Sequence, residues 1–206
     1  MRWVCSLVLA ILTIPAGARA IRDCPSCVLG LWDDAALTQS FGTLAPFTLK
    51  QFYLGTKLSA EEPGLTGIEF SISGWDPQVL ALQLMESVTS PPANIMMNLP
   101  MAPVDTTQTG GMNVAWPACI VGSQALLRFT VVWMNPVPPV NLVLQVRHRY
   151  PPSNTRYGLA GPVLVDCTQP PPEGWIAVRI AGGSYVFNPV VQAEGRTWGV
   201  VKGLYR

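Results

Sequence analysis

The chain has 206 residues and a formal charge of +1, with 12% charged residues, about half the roughly one quarter usual in soluble domains. Thirteen basic and twelve acidic residues nearly cancel, so no bulk field draws the chain to nucleic acid or to an anionic membrane. Gly and Pro are abundant, at eighteen and twenty, and the surface must be covered largely by Ser, Thr, Asn, Gln and backbone.

In chain order, residues 1–20 combine Arg2, an apolar run from Trp3 to Ile14, and Ala18-Arg19-Ala20 as a small-x-small cleavage site. This pattern predicts a cleaved secretory signal peptide. The apolar run is too short to anchor in a bilayer and no second stretch of that length follows, so no transmembrane anchor is expected in the mature chain. The expected location is secreted or extracytoplasmic, in a periplasm or at a cell surface. Loss of Arg2 and Arg19 leaves that chain one charge negative. Four cysteines then remain, Cys24, Cys27, Cys119 and Cys167, and an even number in an exported chain implies two disulfides, with three possible connectivities. The pairing expected is Cys24–Cys27 and Cys119–Cys167. Cys24-Pro-Ser-Cys27 has redox spacing, but no helical pattern follows it to lower a thiol pKa. One CxxC and two isolated cysteines also lack the paired spacing of a zinc site.

Period-two alternation then recurs. Ile68, Phe70 and Ile72 alternate with Glu69 and Ser71; Leu127, Phe129, Val131 and Trp133 alternate with Arg128 and Thr130; Leu142, Leu144 and Val146 alternate with Gln145 and Arg147. Each run predicts a half-buried strand, and the named apolar residues are expected to face one shared core. The last two runs flank Asn135-Pro-Val-Pro-Pro139 and are expected to pair as a hairpin or as neighbours. Further strands are expected at residues 28–32, 47–54, 79–84, 112–116, 162–166, 175–180 and 184–187. Residues 87–111, broken by prolines and Gly110-Gly111, read as a crossover lying on the fold. Short strands separated by Gly and Pro predict an all-β chain: a single antiparallel β-sandwich of immunoglobulin or cohesin type, with few or no helices. The sandwich is expected over 21–191. Residues 192–206 read as a linker and a short amphipathic C-terminal tail, with Trp198, Val201 and Leu204 or Tyr205 at near-helical spacing.

Two resemblances accompany these patterns. Gly64-Leu-Thr-Gly-Ile-Glu-Phe-Ser-Ile-Ser-Gly-Trp-Asp-Pro-Gln-Val-Leu80 resembles the strand, turn and strand of cohesin-like β-sandwiches. More of the chain resembles a group of secreted bacterial β-proteins of unassigned activity. The matching residues include Gly30-Leu-Trp-Asp-Asp34, Asn113-Val-Ala-Trp-Pro-Ala-Cys119, Pro151-Pro-Ser-Asn154 and Val163-Leu-Val-Asp-Cys167. This chain departs from that group in lacking cysteines near Met112 and Gly161. The second resemblance implies a fold. The first implies protein interaction or surface assembly.

Catalytic signals are weak. His148 is the sole histidine and no GxSxG nucleophile elbow occurs, which disfavours a serine-type triad. Asp33-Asp34 and Glu61-Glu62 are adjacent pairs, whose side chains point apart on a strand and do not form facing carboxylates. No calcium-loop pattern surrounds Asp33 or Asp34. Met96, Met97 and Met101, with Met112 or His148, have the softness for copper, but methionines under a broken crossover more simply fill a core. No cofactor and no metal are expected.

Arg147-His-Arg-Tyr150, followed by the stretch to Arg156-Tyr157, is the densest basic and aromatic segment. With Trp75, expected to be exposed in the turn before Asp76-Pro77, it defines a candidate binding set of Trp75, Arg147, Arg149, Tyr150 and Tyr157, suited to stacking on sugars or holding anionic groups. Trp32, Trp116, Trp133 and Trp175 sit in strand-like runs and are expected in the core. The reading is a secreted, non-enzymatic β-sandwich module for protein interaction or surface assembly, with a carbohydrate-binding module as its rival. Its partner would be a protein or polysaccharide at the cell surface, and not nucleic acid.

Overall fold

The computed structural model describes residues 21–98, 110–152, 160–167 and 176–190. The expected signal peptide, Tyr157, Met101, Trp175 and the C-terminal tail lie outside the described residues. Those residues contain twelve strands and no helix: β1 Arg22–Trp32, β2 Phe41–Gly42, β3 Leu49–Lys57, β4 Gly64–Ser73, β5 Leu80–Ser87, β6 Asn94–Asn98, β7 Gly111–Val121, β8 Gln124–Trp133, β9 Leu142–Arg147, β10 Val163–Asp166, β11 Ile176–Gly182 and β12 Ser184–Phe187. The fold is all-β. No helix among the described residues is long and apolar enough to cross a membrane.

Hydrogen bonding runs β2-β12-β9-β4-β10-β11-β1-β3-β8-β5, with β7 joined to β4 and β6 to β7. The path folds over on itself. Phe52 of β3 stacks on Phe129 of β8 and on Tyr185 of β12, with centroids at 5.2 and 5.6 Å, and meets Phe187 edge-on. These rings bring β12, near one end of the path, over β3 and β8, near the other, and close the sandwich. Most pairings are antiparallel as expected, but β1 with β11 and β12 with β2 run parallel.

Alternation predicts the buried faces correctly. Ile68, Phe70, Ile72, Leu127, Phe129, Val131, Leu144 and Val146 belong to one core cluster, and Leu142 packs partly buried against it. The predicted hairpin does not form: β8 lies between β3 and β5, whereas β9 lies between β12 and β4. Residues 134–141 instead cross between the layers. Their prolines have no N–H for a ladder, and the segment is held by Trp133 Nε1 donating to Val137 O (2.7 Å) and Val137 N donating to Asn135 Oδ1 (2.9 Å). The 87–111 crossover contains β6, which pairs antiparallel with β7.

Both disulfides have the expected pairing, Cys24–Cys27 and Cys119–Cys167. Each sits at a proline-bearing irregularity. The β1–β11 ladder skips from Cys24 to Val28, past Pro25, and the β4–β7 ladder slips between Leu65 and Gly67, opposite the stretch that holds Pro117. A proline withholds one ladder donor, the strand bulges, and the disulfide pins the bulge.

Candidate functional site

The structure buries one member of the sequence-predicted binding set, and Tyr157 lies outside the described residues. Trp75 is 3% exposed, because its ring turns inward onto Phe52 and Phe129 at 6.1 and 6.0 Å. The Asp-Pro turn after it is polar outward only: Asp76 Oδ1 accepts Gln78 N, and Asp76 O accepts Val79 N and Leu80 N. Trp75 therefore leaves the set. Arg147 is exposed at the end of β9 and donates to Gln145 Oε1 (2.8 Å); Arg149 donates to Pro151 O (3.0 Å); Tyr150 is half-buried and its backbone bridges Gly110.

The other sequence candidates have structural partners. His148 is half-buried, and burial, with the Arg147 charge adding to it, holds its imidazole below the ordinary range. Its carbonyl accepts Ser71 Oγ (2.6 Å). Met112 is a core residue, on a backbone register with Met97. Burial works to raise the Asp34 carboxyl, but bonds from Thr38, Gln39 and Ala36 hold it below its ordinary value. Asp34 thus closes the 34–39 loop. Asp33 accepts Tyr185 Oη (2.5 Å) and pairs with Lys50. Glu62 is buried, and that burial raises its carboxyl above the usual value; Arg22 opposes the rise and Asp166 adds to it. Arg22 bridges both acids at 2.8 and 2.9 Å. Among the described residues no group of three or more His, Cys, Asp or Glu side chains is placed to hold a metal ion.

What the sequence reading missed is the outer face of β1, β3, β8 and β5. Since Phe52, Leu54, Phe129 and Val131 point into the core, the alternate residues of the same strands must point out. Register aligns them in three rows: Leu49, Val132 and Ala81; Gln51, Thr130 and Leu84; Tyr53, Arg128 and Glu86. A bulge at Gln83 resets the phase of β5, so that Leu82 and Met85 face the core while Leu84 and Glu86 face out. Trp32 extends the third row, opposite Tyr53, rather than joining the core as expected. Its ring lies back over Gly30, where a Cβ would be only 3.2 Å from the indole nitrogen, and Lys57 Nζ stands 4.2 Å from the ring centroid.

The face is divided chemically. One end is aliphatic, with Leu49 at 69% and Leu84 at 51% exposure, and it continues into Phe47 and Met134. Phe47 holds φ at +56°, a conformation that a bulky L residue rarely adopts, and its N–H is tied to Trp133 O (2.9 Å). Such outliers persist where surrounding structure over-determines them. The other end is aromatic and charged: Arg128 Nε donates to Glu86 Oε1 (2.7 Å), and this bond, against some desolvation, raises the guanidinium pKa. The arrangement offers a flat apolar surface with a polar rim. Nothing in it pairs a nucleophile with a base.

No protein-family model matches the chain, and no curated protein matches it. Among solved structures, it is similar to the cohesin module of a family 33 glycoside hydrolase from Clostridium perfringens, at 9% identity and TM-score 0.47, covering 79% of this chain and 98% of that one. A non-cellulosomal cohesin from Archaeoglobus fulgidus is similar at 11% identity and TM-score 0.43, over 82% and 94% of the two chains. A Clostridium thermocellum structure described as a type I cohesin–dockerin complex is similar at 8% identity and TM-score 0.46, over 83% and 97%. These are cohesin modules, the family that residues 64–80 resemble. The all-β fold of this chain stands on its own twelve strands.

Proposed function

We propose that the chain is an exported, non-catalytic module that binds a protein partner through the outer face of β3, β8 and β5. The observation that carries this reading is the exposed apolar end of that face, Leu49, Leu84, Phe47 and Met134, bordered by the Arg128–Glu86 pair. Contiguous exposed apolar residues rimmed by polar groups mark interaction surfaces in soluble proteins. Export is supported by the leader pattern of residues 1–20 and by two disulfides, which persist in oxidising compartments. In this reading, residues 1–20 are removed on export, and 192–206 follow the sandwich as a tail.

The test is site-specific photo-crosslinking from position 51, exposed on the same face, in cells of the source organism, with the rest of the chain wild type, with Leu49→Lys/Leu84→Lys and with Arg147→Ala. One protein captured by the wild type and by Arg147→Ala, but lost from the double variant, is the expected result. Equal capture by all three, or capture of polysaccharide alone, would overturn it.

A further inference from the structure

A second site lies beside β2, at the opposite end of the strand path from β5. The 33–43 loop meets the end of β12 there and leaves an open pocket of ≈ 480 Å³ lined by Asp33, Gln39, Phe41, Gly42, Thr43, Asn188 and Pro189. That volume falls within the range of small-molecule sites. The walls are tied in place. Asn188 accepts Leu44 N (2.9 Å) and donates to Leu44 O and Pro139 O (2.9 and 2.8 Å), while Asp33 N donates to Gln39 O (2.7 Å). Gly42 has no side chain for a structural reason: any Cβ would overlap Tyr185 Oη and Asp33 Oδ1.

The polar atoms left over define the ligand. Asp33 Oδ1 already takes the Tyr185 hydroxyl and the Lys50 ammonium, which leaves Oδ2 without a donor among the described residues. Gln39 spends Nε2 on Phe41 O (2.9 Å), and its Oε1 is a second acceptor without a donor among the described residues. Thr43 adds a hydroxyl. Phe41 presents a ring that is 50% exposed, and Pro189 adds an apolar wall. The ligand must therefore supply hydrogen-bond donors and an apolar face. It should also be uncharged: Lys50 neutralises Asp33, so a cation gains no net attraction, and among the described residues no basic side chain lines the pocket to receive an anion. A saccharide ring meets all three requirements, with hydroxyls for Asp33 Oδ2 and Gln39 Oε1 and a C–H face for Phe41.

We propose that the pocket formed by Asp33, Gln39, Phe41 and Thr43 is a saccharide-binding subsite, separate from the protein-docking face. The experiment is a ¹⁵N-amide NMR titration of the mature chain with methyl glycosides of glucose, galactose, mannose and N-acetylglucosamine and with their hexasaccharides. At least one should saturate, with shifts centred on residues 33–43 and 188–190. Phe41→Ala should weaken that saccharide tenfold or more, Phe41→Tyr should keep it, and Leu49→Lys/Leu84→Lys should leave it unchanged. A thermal melt of each variant establishes that it is folded. Absence of shifts at tens of millimolar sugar, shifts centred elsewhere, or a folded Phe41→Ala that binds like wild type would overturn the proposal. So would arginine or inorganic phosphate moving these amides where no sugar does.

Discussion

Strands β4 and β8 carry the same pattern and live in different surroundings. Both place aromatic and aliphatic residues on alternate positions, and Phe70 and Phe129 are each fully buried. The intervening residues part company. In β4, Glu69 is 6% and Ser71 1% exposed, because β7, β10 and β9 flank the strand and Ser71 bonds His148 O. In β8, Arg128 and Val132 are only half-buried on an open face, although Thr130 between them is 8% exposed. Alternation therefore reports the phase of a strand, and the cover on its polar face comes from segments remote in sequence.

The inward positions should behave alike. Phe70→Ala and Phe129→Ala should each cost about 3–5 kcal/mol, as expected for truncating a fully buried phenylalanine. Urea unfolding checks this, and a much smaller loss at one site would show that its side of the core is loose. Removing the Cys119–Cys167 bridge by Cys119→Ser/Cys167→Ser should cost about 2–4 kcal/mol by the same assay, since it closes a loop between positions 48 apart. The polar positions should differ. Ser71→Ala should cost about 0.5–1.5 kcal/mol, because the half-buried His148 carbonyl loses its donor. Thr130→Ala should cost less, because its contact with Gln51 is long, at 3.5 Å. Equal losses at the two would remove the contrast between the strands.

A pH experiment sharpens the same contrast between covered and open acids. Burial raises the Glu62 carboxyl above its ordinary 4.5, despite Arg22. The folded state therefore holds this proton more tightly than the unfolded state, and the stability gained is fully present below about pH 4.5 and is lost as pH rises through the folded value. The unfolding free energy of wild type relative to Glu62→Gln should fall as pH rises above 4.5. A flat or rising difference would show that Arg22 outweighs burial. Glu86, partly open beside Arg128, is the natural comparison.

Local chemistry made much of the fold legible. Hydrophobic alternation located the strands, and the cysteine count gave the oxidised state. Contacts between distant segments escaped it. The β8–β9 hairpin was expected because short connections usually join neighbours, yet each strand found better partners in β5 and β12. Trp75 was placed outside because Asp76 and Pro77 are turn residues, but the turn's polarity is spent on its own backbone and the ring is free to enter the core. The outward rows on β3, β8 and β5 needed the register, including the bulge at Gln83 that no composition signal marks. The pocket at Asp33 needed Tyr185, 152 residues away.

The smallest stability effect should accompany the largest functional one. Leu84 is half-exposed on β5, the last strand of the path, so Leu84→Lys removes little buried surface, and lysine is well tolerated on an edge strand. Its cost should stay within about 0.5 kcal/mol, the usual range for surface changes. An alkyl side chain kept at 51% exposure contributes little to folding but has apolar area to give a partner. Chemical denaturation and partner capture on the same sample separate the two roles. Unchanged stability with lost capture is the result that the open face of β8 and β5 requires; a loss of several kcal/mol would mean that Leu84 is packed like its counterparts on β4, and that this face is core rather than surface.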